Sequence, residues 1–288
     1  MQLRYPIFVP TKGRHDRLST IKQFMASNVP FHAVVEQQEL PAYGAVVGEQ
    51  RCLVLPHRDQ GLVVTRNWIW DHAQSLGVER FWTFDDNIAR FFRLYKNKKY
   101  PLQGIPLVTA LVVIEDFADR YENLPVIGMA YSCFVKQSQK VKPLILNTRV
   151  YSNMLIQTHA KDRNGKPFRN EGFFNDDTDL CLRILKDGQC TVQVCAFLVG
   201  KAQTMTVKGG MTPYYQSDGR LKMAQELRAK HPDVVSITHR FGHWQHLVDY
   251  RRFRKNKLRL KRGIAVEQGV NEYGMRLVPK AAEPARIS

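Results

Sequence analysis

Residues 80–87 read Arg-Phe-Trp-Thr-Phe-Asp-Asp-Asn, and this stretch decides the fold class. The apolar run Arg80–Phe84 predicts a β-strand, and it leads directly into Asp85, Asp86 and Asn87. Open α/β sheets bind their ligands at the carboxyl ends of their strands. We therefore expect an α/β sheet that carries a ligand site where this strand ends.

The segments on either side alternate short apolar runs with helical patterns, as in βα units around a mostly parallel, Rossmann-like nucleotide-binding sheet. Further strands are predicted at residues 5–9, 31–35, 51–55, 126–136, 149–157 and 189–200. Helices are predicted near residues 18–25, 62–76, 107–121, 180–186 and 221–230. We interpret residues 1–253 as one domain, and residues 254–288 as a basic segment followed by a weakly ordered tail.

The overall charge is strongly positive, since 43 Lys and Arg face 26 Asp and Glu for a net charge of +17. Such a field favours polyanions, and nucleic acid is the first partner to consider; the alternative is a basic surface that only confers solubility. The five cysteines are scattered and form no Cys-x-x-Cys pair, which argues against a zinc ribbon or a disulfide framework. Apolar runs are too short for a bilayer, so we expect a cytoplasmic protein without a membrane partner, in the host cytoplasm if a phage encodes it.

Two acidic clusters carry the clearest chemical signals. Adjacent carboxylates such as Asp85 and Asp86 repel each other unless a cation or several donors neutralise them, which predicts a divalent metal; an exposed turn is the alternative. About ninety residues later, residues 175–179 place Asp176 and Asp177 at a predicted helix start. One of these carboxylates could accept a proton from a substrate hydroxyl, although acidic helix caps are common.

Three further segments are candidates for binding. Residues 11–14 follow the first strand and lack the Walker and Gly-x-Gly-x-x-Gly patterns, which excludes a P-loop and a Rossmann dinucleotide site. Arg66 could reach a diphosphate, or it could lie on a solvated helix face. Among three clustered histidines, His246 is the candidate metal ligand. The run 251–262 could follow a phosphate backbone with its basic residues, of which we select Arg251, Arg252, Arg254, Lys255 and Lys257.

The order of these motifs resembles the GT-A glycosyltransferases, and more narrowly the TET-associated and base J glucosyltransferase group. The resemblance spans residues 5–253. It rests on Pro-Thr-Lys-Gly-Arg at 10–14, Thr-Arg-Asn at 65–67, Phe-Asp-Asp-Asn-Ile at 84–88, Asn-Asp-Asp-Thr-Asp-Leu-Cys-Leu-Arg at 175–183 and His-Leu-Val-Asp-Tyr at 246–250. It implies a single GT-A-like domain that moves glucose or another sugar from a UDP-sugar, with Mg²⁺ or Mn²⁺, to hydroxymethylated pyrimidines in double-stranded DNA.

The resemblance also assigns roles to residues. Asp85 and Asp86 match the Asp-x-Asp region, Asn87 stands where many relatives have a third acid, and the metal would lie at Asp86 with Asn87 and His246. Asp176 and Asp177 match an acidic pair whose second member is the base in inverting enzymes. The nucleotide site would include Thr11, Arg14, Glu36, Arg66 and Asp85. The enzyme could reach the base in the major groove or flip it out of the stack, and both routes stay open.

Two other functions fit parts of the sequence. A GT-A-like enzyme that acts on a polysaccharide or small glycan would make the basic segment incidental. A catalytically silent nucleic-acid-binding module would keep the fold without binding a metal, although the two retained acid pairs argue against it. Acceptor screening separates the first alternative from DNA glycosylation, and a titration with UDP tests the second.

Overall fold

The computed structural model describes residues 2–136, 141–201, 219–265 and 269–270. Most of the predicted tail lies outside these residues. The strands are β1 (Ile7–Pro10), β2 (His32–Glu36), β3 (Cys52–Leu55), β4 (Arg80–Phe84), β5 (Ile88–Tyr95), β6 (Lys98–Leu102), β7 (Val126–Tyr131), β8 (Leu144–Leu146), β9 (Asn153–Gln157), β10 (Thr191–Lys201), β11 (Val235–Arg240) and β12 (His243–Val248). The α-helices are α1 (Ser19–Ala26), α2 (Leu40–Val47), α3 (Leu62–Ser75), α4 (Ile105–Asp119), α5 (Asp176–Lys186) and α6 (Gly219–Lys230).

Ten strands form one sheet in the order β3-β2-β1-β4-β9-β7-β10-β5-β6, with β8 paired to the start of β10. Strands β1 to β4, β6, β7 and β10 run in one direction, and β5, β8 and β9 run in the other. Strands β11 and β12 form a separate antiparallel hairpin. The predicted α/β class with a mostly parallel sheet is confirmed.

Helices cover both faces of the sheet, because successive residues of a buried strand point to opposite sides. Ile7 and Val9 pack with α1, α2 and α4 on one face, whereas Phe8 packs with α3 and α5 on the other. The same alternation along β4 sends Trp82 to the first face and Phe81 to the second. Both layers hold β4 rigidly, so the residues that follow it have a fixed position.

The carboxyl ends of the strands that share the main direction meet at one edge of the sheet, which we call the carboxyl edge. Thr11 follows β1, Glu36 ends β2, Asp85 follows β4, Tyr131 ends β7 and Lys201 ends β10. Because β9 runs the opposite way, Ser152 just before it lies at the same edge. The opposite edge, where these strands begin, is called the amino edge below.

The structure departs from the predicted elements where local backbone geometry interrupts a run. The strand predicted over 149–157 begins only at Asn153, because Ser152 has a left-handed φ of 64°. Residues 88–102 form the hairpin β5–β6, which turns at Lys96 and Asn97 with positive φ at both. Neither this hairpin nor α2 was predicted from the sequence. No helix in the described ranges is long and apolar enough to cross a membrane.

Arg80 at the start of β4 joins the sheet to α4. Its side chain is fully buried and donates to Asp119 Oδ1 at 3.0 Å, to the Leu124 carbonyl at 2.9 Å and to the Ala118 carbonyl at 3.0 Å. Burial dominates over the nearby Asp119 charge and lowers the pKa of Arg80. The guanidinium therefore donates to three buried acceptors, and water could not easily take its place as their donor.

We expect Arg80→Met to destabilise the protein by about 3 kcal/mol, because the change leaves buried carbonyls and Asp119 without their donor. Urea unfolding followed by circular dichroism measures the loss. Arg93→Met on β5 is the matched control, since Arg93 is an exposed strand arginine. Equal midpoints for the two variants would contradict the role assigned to Arg80.

Candidate functional site

Arg66 on α3 connects the two acidic clusters at the carboxyl edge. Its side chain is 5 % exposed and donates through Nη1 to Asp176 Oδ2 at 2.6 Å and through Nη2 to Asp85 Oδ1 at 2.9 Å. Burial works against the charge, but Asp176 and Asp85 outweigh it and raise the pKa of Arg66. Residues that the sequence separates by more than a hundred positions thus form one ionic network.

Asp85 accepts hydrogen bonds on both carboxylate oxygens. Besides the bond from Arg66, Oδ2 accepts from Ser152 Oγ at 2.6 Å and from Lys201 Nζ at 2.7 Å. Burial alone would raise the pKa of Asp85, but the charges of Lys201 and Arg66 hold it well below its usual range. The hydroxyls of Tyr131 and Ser152 share a hydrogen bond, which extends the network to the end of β7.

Asp86 points to the other side of the strand end, toward β1. Its carboxylate accepts from Thr11 Oγ1 at 2.9 Å and from Arg14 Nη1 at 2.5 Å. Tyr43 on α2 in turn bonds Thr11 Oγ1 at 2.9 Å and accepts from the Arg14 backbone at 3.0 Å. Burial raises the pKa of Asp86 despite the Arg14 charge. The predicted nucleotide residues Thr11 and Arg14 are therefore held against the acidic motif.

Glu36 ends β2 beside these residues, as the predicted nucleotide site requires. It accepts from Lys12 Nζ at 2.7 Å, from Gln38 Nε2 at 2.5 Å and from the Asp59 backbone at 3.0 Å. Burial is outweighed by the Lys12 bond, so the pKa of Glu36 lies below its usual value. Its carboxylate is thus an ionised acceptor at the carboxyl edge.

Asp177 lies next to this network at the first turn of α5. Its Oδ1 accepts from the Thr178 backbone at 2.6 Å, and the side chain keeps partial contact with solvent. Burial, reinforced by the negative charge of Asp176, raises the pKa of Asp177 to about 6, although Arg66 opposes the shift. A carboxylate with a pKa close to neutrality can both accept and release a proton at physiological pH.

The residues around the acidic motif fit a divalent cation that arrives with an anionic ligand. Asn87 Oδ1 is buried and has no hydrogen-bond partner among the described residues. Four carboxyl groups, Asp85, Asp86, Asp176 and Asp177, face the three cations Arg14, Arg66 and Lys201. A diphosphate would add further negative charge, and Mg²⁺ is usually held by one or two side chains together with substrate phosphates. No described group of three or more His, Cys, Asp and Glu could hold a metal by itself.

His246 lies elsewhere, on β12 in the wall of a cavity of about 400 Å³. Burial and the Arg149 charge lower the pKa of His246 to about 4, so the imidazole is neutral near pH 7. The structure therefore brings together the predicted residues of the two acidic clusters but places His246 in a different environment. A larger cavity of about 650 Å³ lies at the amino edge and is lined by none of the predicted site residues.

The basic segment is fixed to the amino edge rather than to the carboxyl edge. Asn123 Nδ2, just before β7, donates to the Lys257 carbonyl at 2.9 Å, and Asn256 Nδ2 donates to the carbonyls of Leu185 and Gln189 at 2.8 Å. Arg251 pairs with Asp249 at 2.8 Å. The remaining predicted cations make no ion pair within the described part of the chain and are exposed; they are Arg252, Arg254, Lys255 and Lys257.

Sequence reasoning missed Lys201, Ser152 and Tyr43, which complete the site. Lys201 had a signal, because it stands at the carboxyl end of the apolar run 191–200. Ser152 and Tyr43 had none, since their positions depend on the reversed direction of β9 and on the unpredicted helix α2.

One family model and several solved structures match this chain. A model of the family described as TET-Associated Glycosyltransferase matches residues 5–210. The protein resembles the structure of TarS from S. aureus, at 14% identity and a TM-score of 0.41, over 78% of this chain and 40% of TarS. It also resembles a candidate nucleotide-diphospho-sugar transferase from Desulfovibrio desulfuricans G20, at 10% identity and a TM-score of 0.41, over 80% of this chain and 97% of the other. No curated protein matches the sequence.

Proposed function

The chain belongs to the TET-associated glycosyltransferase family, and we propose that it transfers glucose from UDP-glucose to the hydroxymethyl group of a modified pyrimidine in double-stranded DNA. The observation that carries the proposal is the position of Asp177, a carboxyl group with a raised pKa beside the network that Arg66 builds. This arrangement places a proton acceptor beside the cations Arg66 and Lys201, which a leaving diphosphate would contact.

The donor would bind at the carboxyl edge. Thr11, Arg14 and Glu36 stand at the ends of β1 and β2, where a nucleotide can be positioned, while Arg66 and Lys201 flank Asp85. Positive groups at this point favour the negative charge that develops on the departing diphosphate. Asp176 holds the Arg66 guanidinium at 2.6 Å and so fixes its direction.

Mg²⁺ or Mn²⁺ would be held by Asp86 and Asn87 together with the donor diphosphate. Asn87 offers the buried oxygen without a partner, and each Asp86 oxygen retains a lone pair beyond its hydrogen bond from Thr11 or Arg14. When bound, the ion would stabilise the negative charge of the leaving UDP. We do not assign His246 to this site.

Asp177 would act as the general base. It accepts the proton of the acceptor hydroxymethyl group while that oxygen bonds to the anomeric carbon, and the bond from this carbon to the diphosphate oxygen breaks to release UDP. Direct attack of this kind inverts the anomeric configuration. The Thr178 backbone and hydroxyl both donate to Asp177 Oδ1, so Oδ2 would be the oxygen that takes the proton.

The acceptor class rests on charge as well as on the family. The net charge of +17 favours a polyanion, and the exposed cations of the basic segment can neutralise phosphates. A polysaccharide acceptor would draw no benefit from this field unless it were itself acidic. A DNA acceptor therefore explains the positive charge of the chain, which a neutral glycan acceptor does not.

We expect Asp177→Asn to retain UDP binding within about twofold and to lose turnover by about 10²- to 10⁴-fold, because an amide cannot accept the proton. For the unchanged protein, kcat/KM should rise as the pH increases through about 6, since Asp177 is protonated and inactive below its pKa. Asp71→Asn on α3, an exposed acid, is the control. Full activity of Asp177→Asn would place the base elsewhere.

The central experiment incubates the protein with UDP-sugars and three matched duplexes that contain hydroxymethylcytosine, hydroxymethyluracil or the unmodified base. Mass spectrometry of the digested nucleosides should show the addition of one hexosyl unit to a hydroxymethylated base with UDP-glucose, and none to the unmodified base. The addition should require Mg²⁺ or Mn²⁺ and stop in EDTA. Transfer to oligosaccharides but to no DNA would favour the glycan alternative.

The affinity for duplex DNA should fall steeply with salt. If the basic segment lies along phosphates, Ala substitution of Arg252, Arg254 and Lys257 should flatten the log-log salt dependence by up to about 0.9 for each lost contact. Arg259→Ala is the matched control, because Arg259 already pairs with Glu122 at 2.7 Å. A triple variant with the salt dependence of the unchanged protein would assign the charge to solubility alone.

A further inference from the structure

The cavity that contains His246 lies between the β11–β12 hairpin and the segment that leads into β9. Arg149, Tyr151 and Tyr250 line it. The negative charge of Asp177 contributes to raising the pKa of Tyr151 and of Tyr250, so the candidate base is within electrostatic range of this cavity. Its volume of about 400 Å³ falls in the range of small-ligand sites.

One wall of the cavity is built from flat groups. The Arg149 guanidinium carbon lies 4.8 Å from the centre of the Tyr151 ring and 5.9 Å from that of Phe134. Tyr151 is supported from behind by the Tyr131 ring, whose centre is 4.3 Å away in an edge-to-face contact. Planar cations and aromatic rings are the surfaces on which unstacked bases are held.

Two polar atoms in the cavity wall are buried without a partner. Neither His246 Nε2 nor Tyr250 OH has a hydrogen-bond partner among the described residues. Buried polar groups are almost always satisfied, so an unsatisfied pair in one cavity indicates a ligand with polar atoms at its edge. The imidazole is neutral and the phenol keeps its proton, because burial lowers the pKa of His246 and raises that of Tyr250.

The hairpin turn presents an aromatic ring at the mouth of the same cavity. Phe241 is 89 % exposed, and both Phe241 and Gly242 have positive φ, of 54° and 77°. This turn geometry favours Asn and Gly, whereas a bulky residue there is strained. An exposed phenylalanine at a strained position does not stabilise the fold, which indicates a role in binding.

We propose that this cavity receives a single pyrimidine swung out of the duplex, and that Phe241 fills the place it leaves in the base stack. The inference rests on the proposed DNA acceptor. The flat wall stacks on the base, His246 Nε2 and Tyr250 OH bind its polar edge, and Asp177 meets the hydroxymethyl group. Apolar side chains of DNA-bending proteins are known to insert between base steps and unstack them.

A sugar ring would fit this cavity less well. A carbohydrate presents hydroxyl groups around its whole circumference, whereas the two unsatisfied atoms can bind only a few edge groups. Arg149 brings a positive charge to the cavity wall. Arg240 on the rim is exposed and can bind a phosphate next to the base. A planar base flanked by phosphates matches both features.

The test uses a duplex with one hydroxymethylated pyrimidine next to 2-aminopurine, and the single strand of the same sequence. Unchanged protein without donor should raise the 2-aminopurine fluorescence of the duplex several-fold, because unstacking relieves quenching. Phe241→Asn, which suits the turn, should abolish most of this rise and should weaken binding to the duplex more than binding to the single strand. Tyr250→Phe should weaken single-strand binding by roughly three- to tenfold relative to the exposed control Tyr100→Phe.

Transfer from UDP-glucose is measured on the same duplex, so that two kinds of failure can be distinguished. Transfer without a fluorescence rise would overturn base extrusion and leave the proposed function standing. Absence of both binding and transfer would overturn both. If Tyr250→Phe weakened an oligosaccharide acceptor and left DNA binding intact, the cavity would belong to a sugar.

Discussion

The site depends on one buried guanidinium. Arg66 holds Asp85 after β4 and Asp176 at the start of α5, two carboxylates that would repel each other at this distance without it. A buried charge of this kind is costly to leave unpaired. Arg66 and its two carboxylate partners therefore hold one another in place. Asp177 takes its place from that arrangement, since Asp176 is its immediate neighbour, and burial together with the Asp176 charge raises its pKa against the opposing effect of Arg66.

The sequence allowed the acidic half of the site to be predicted, because Asp85, Asp86, Asp176 and Asp177 stand where an apolar run ends or a helix begins. Such boundaries are local properties. Among the cations and hydroxyls, Thr11, Arg14 and Arg66 were predicted, whereas Lys201 and Ser152 were missed, because they reach Asp85 only through the order in which β9, β7 and β10 join the sheet. Strand order is set by long-range packing, which spacing along one chain does not encode.

The same limit explains the elements that were missed. Helix α2 lacks a strong amphipathic pattern, yet it carries Tyr43 into contact with Thr11 and Arg14. The late histidine segment was interpreted through metal chemistry, and that assignment stays a prediction; in the structure the β11–β12 pairing places His246 at a cavity with aromatic walls. His246 stood out in the sequence and Tyr43 did not. Neither impression depended on the contacts that the fold gives these residues.

The basic segment runs from one edge of the sheet toward the other. It begins directly after Tyr250, which lines the cavity near Asp177, and Asn123 and Asn256 hold its middle at the amino edge. Six residues of β7 separate the two edges by roughly 20 Å at about 3.3 Å per residue. If the acceptor is a duplex, as proposed, one that follows the whole segment would extend about six base pairs beyond the modified base, at about 3.4 Å per pair. The length of duplex on that side of the target, rather than its sequence, would then set how many phosphates the segment contacts.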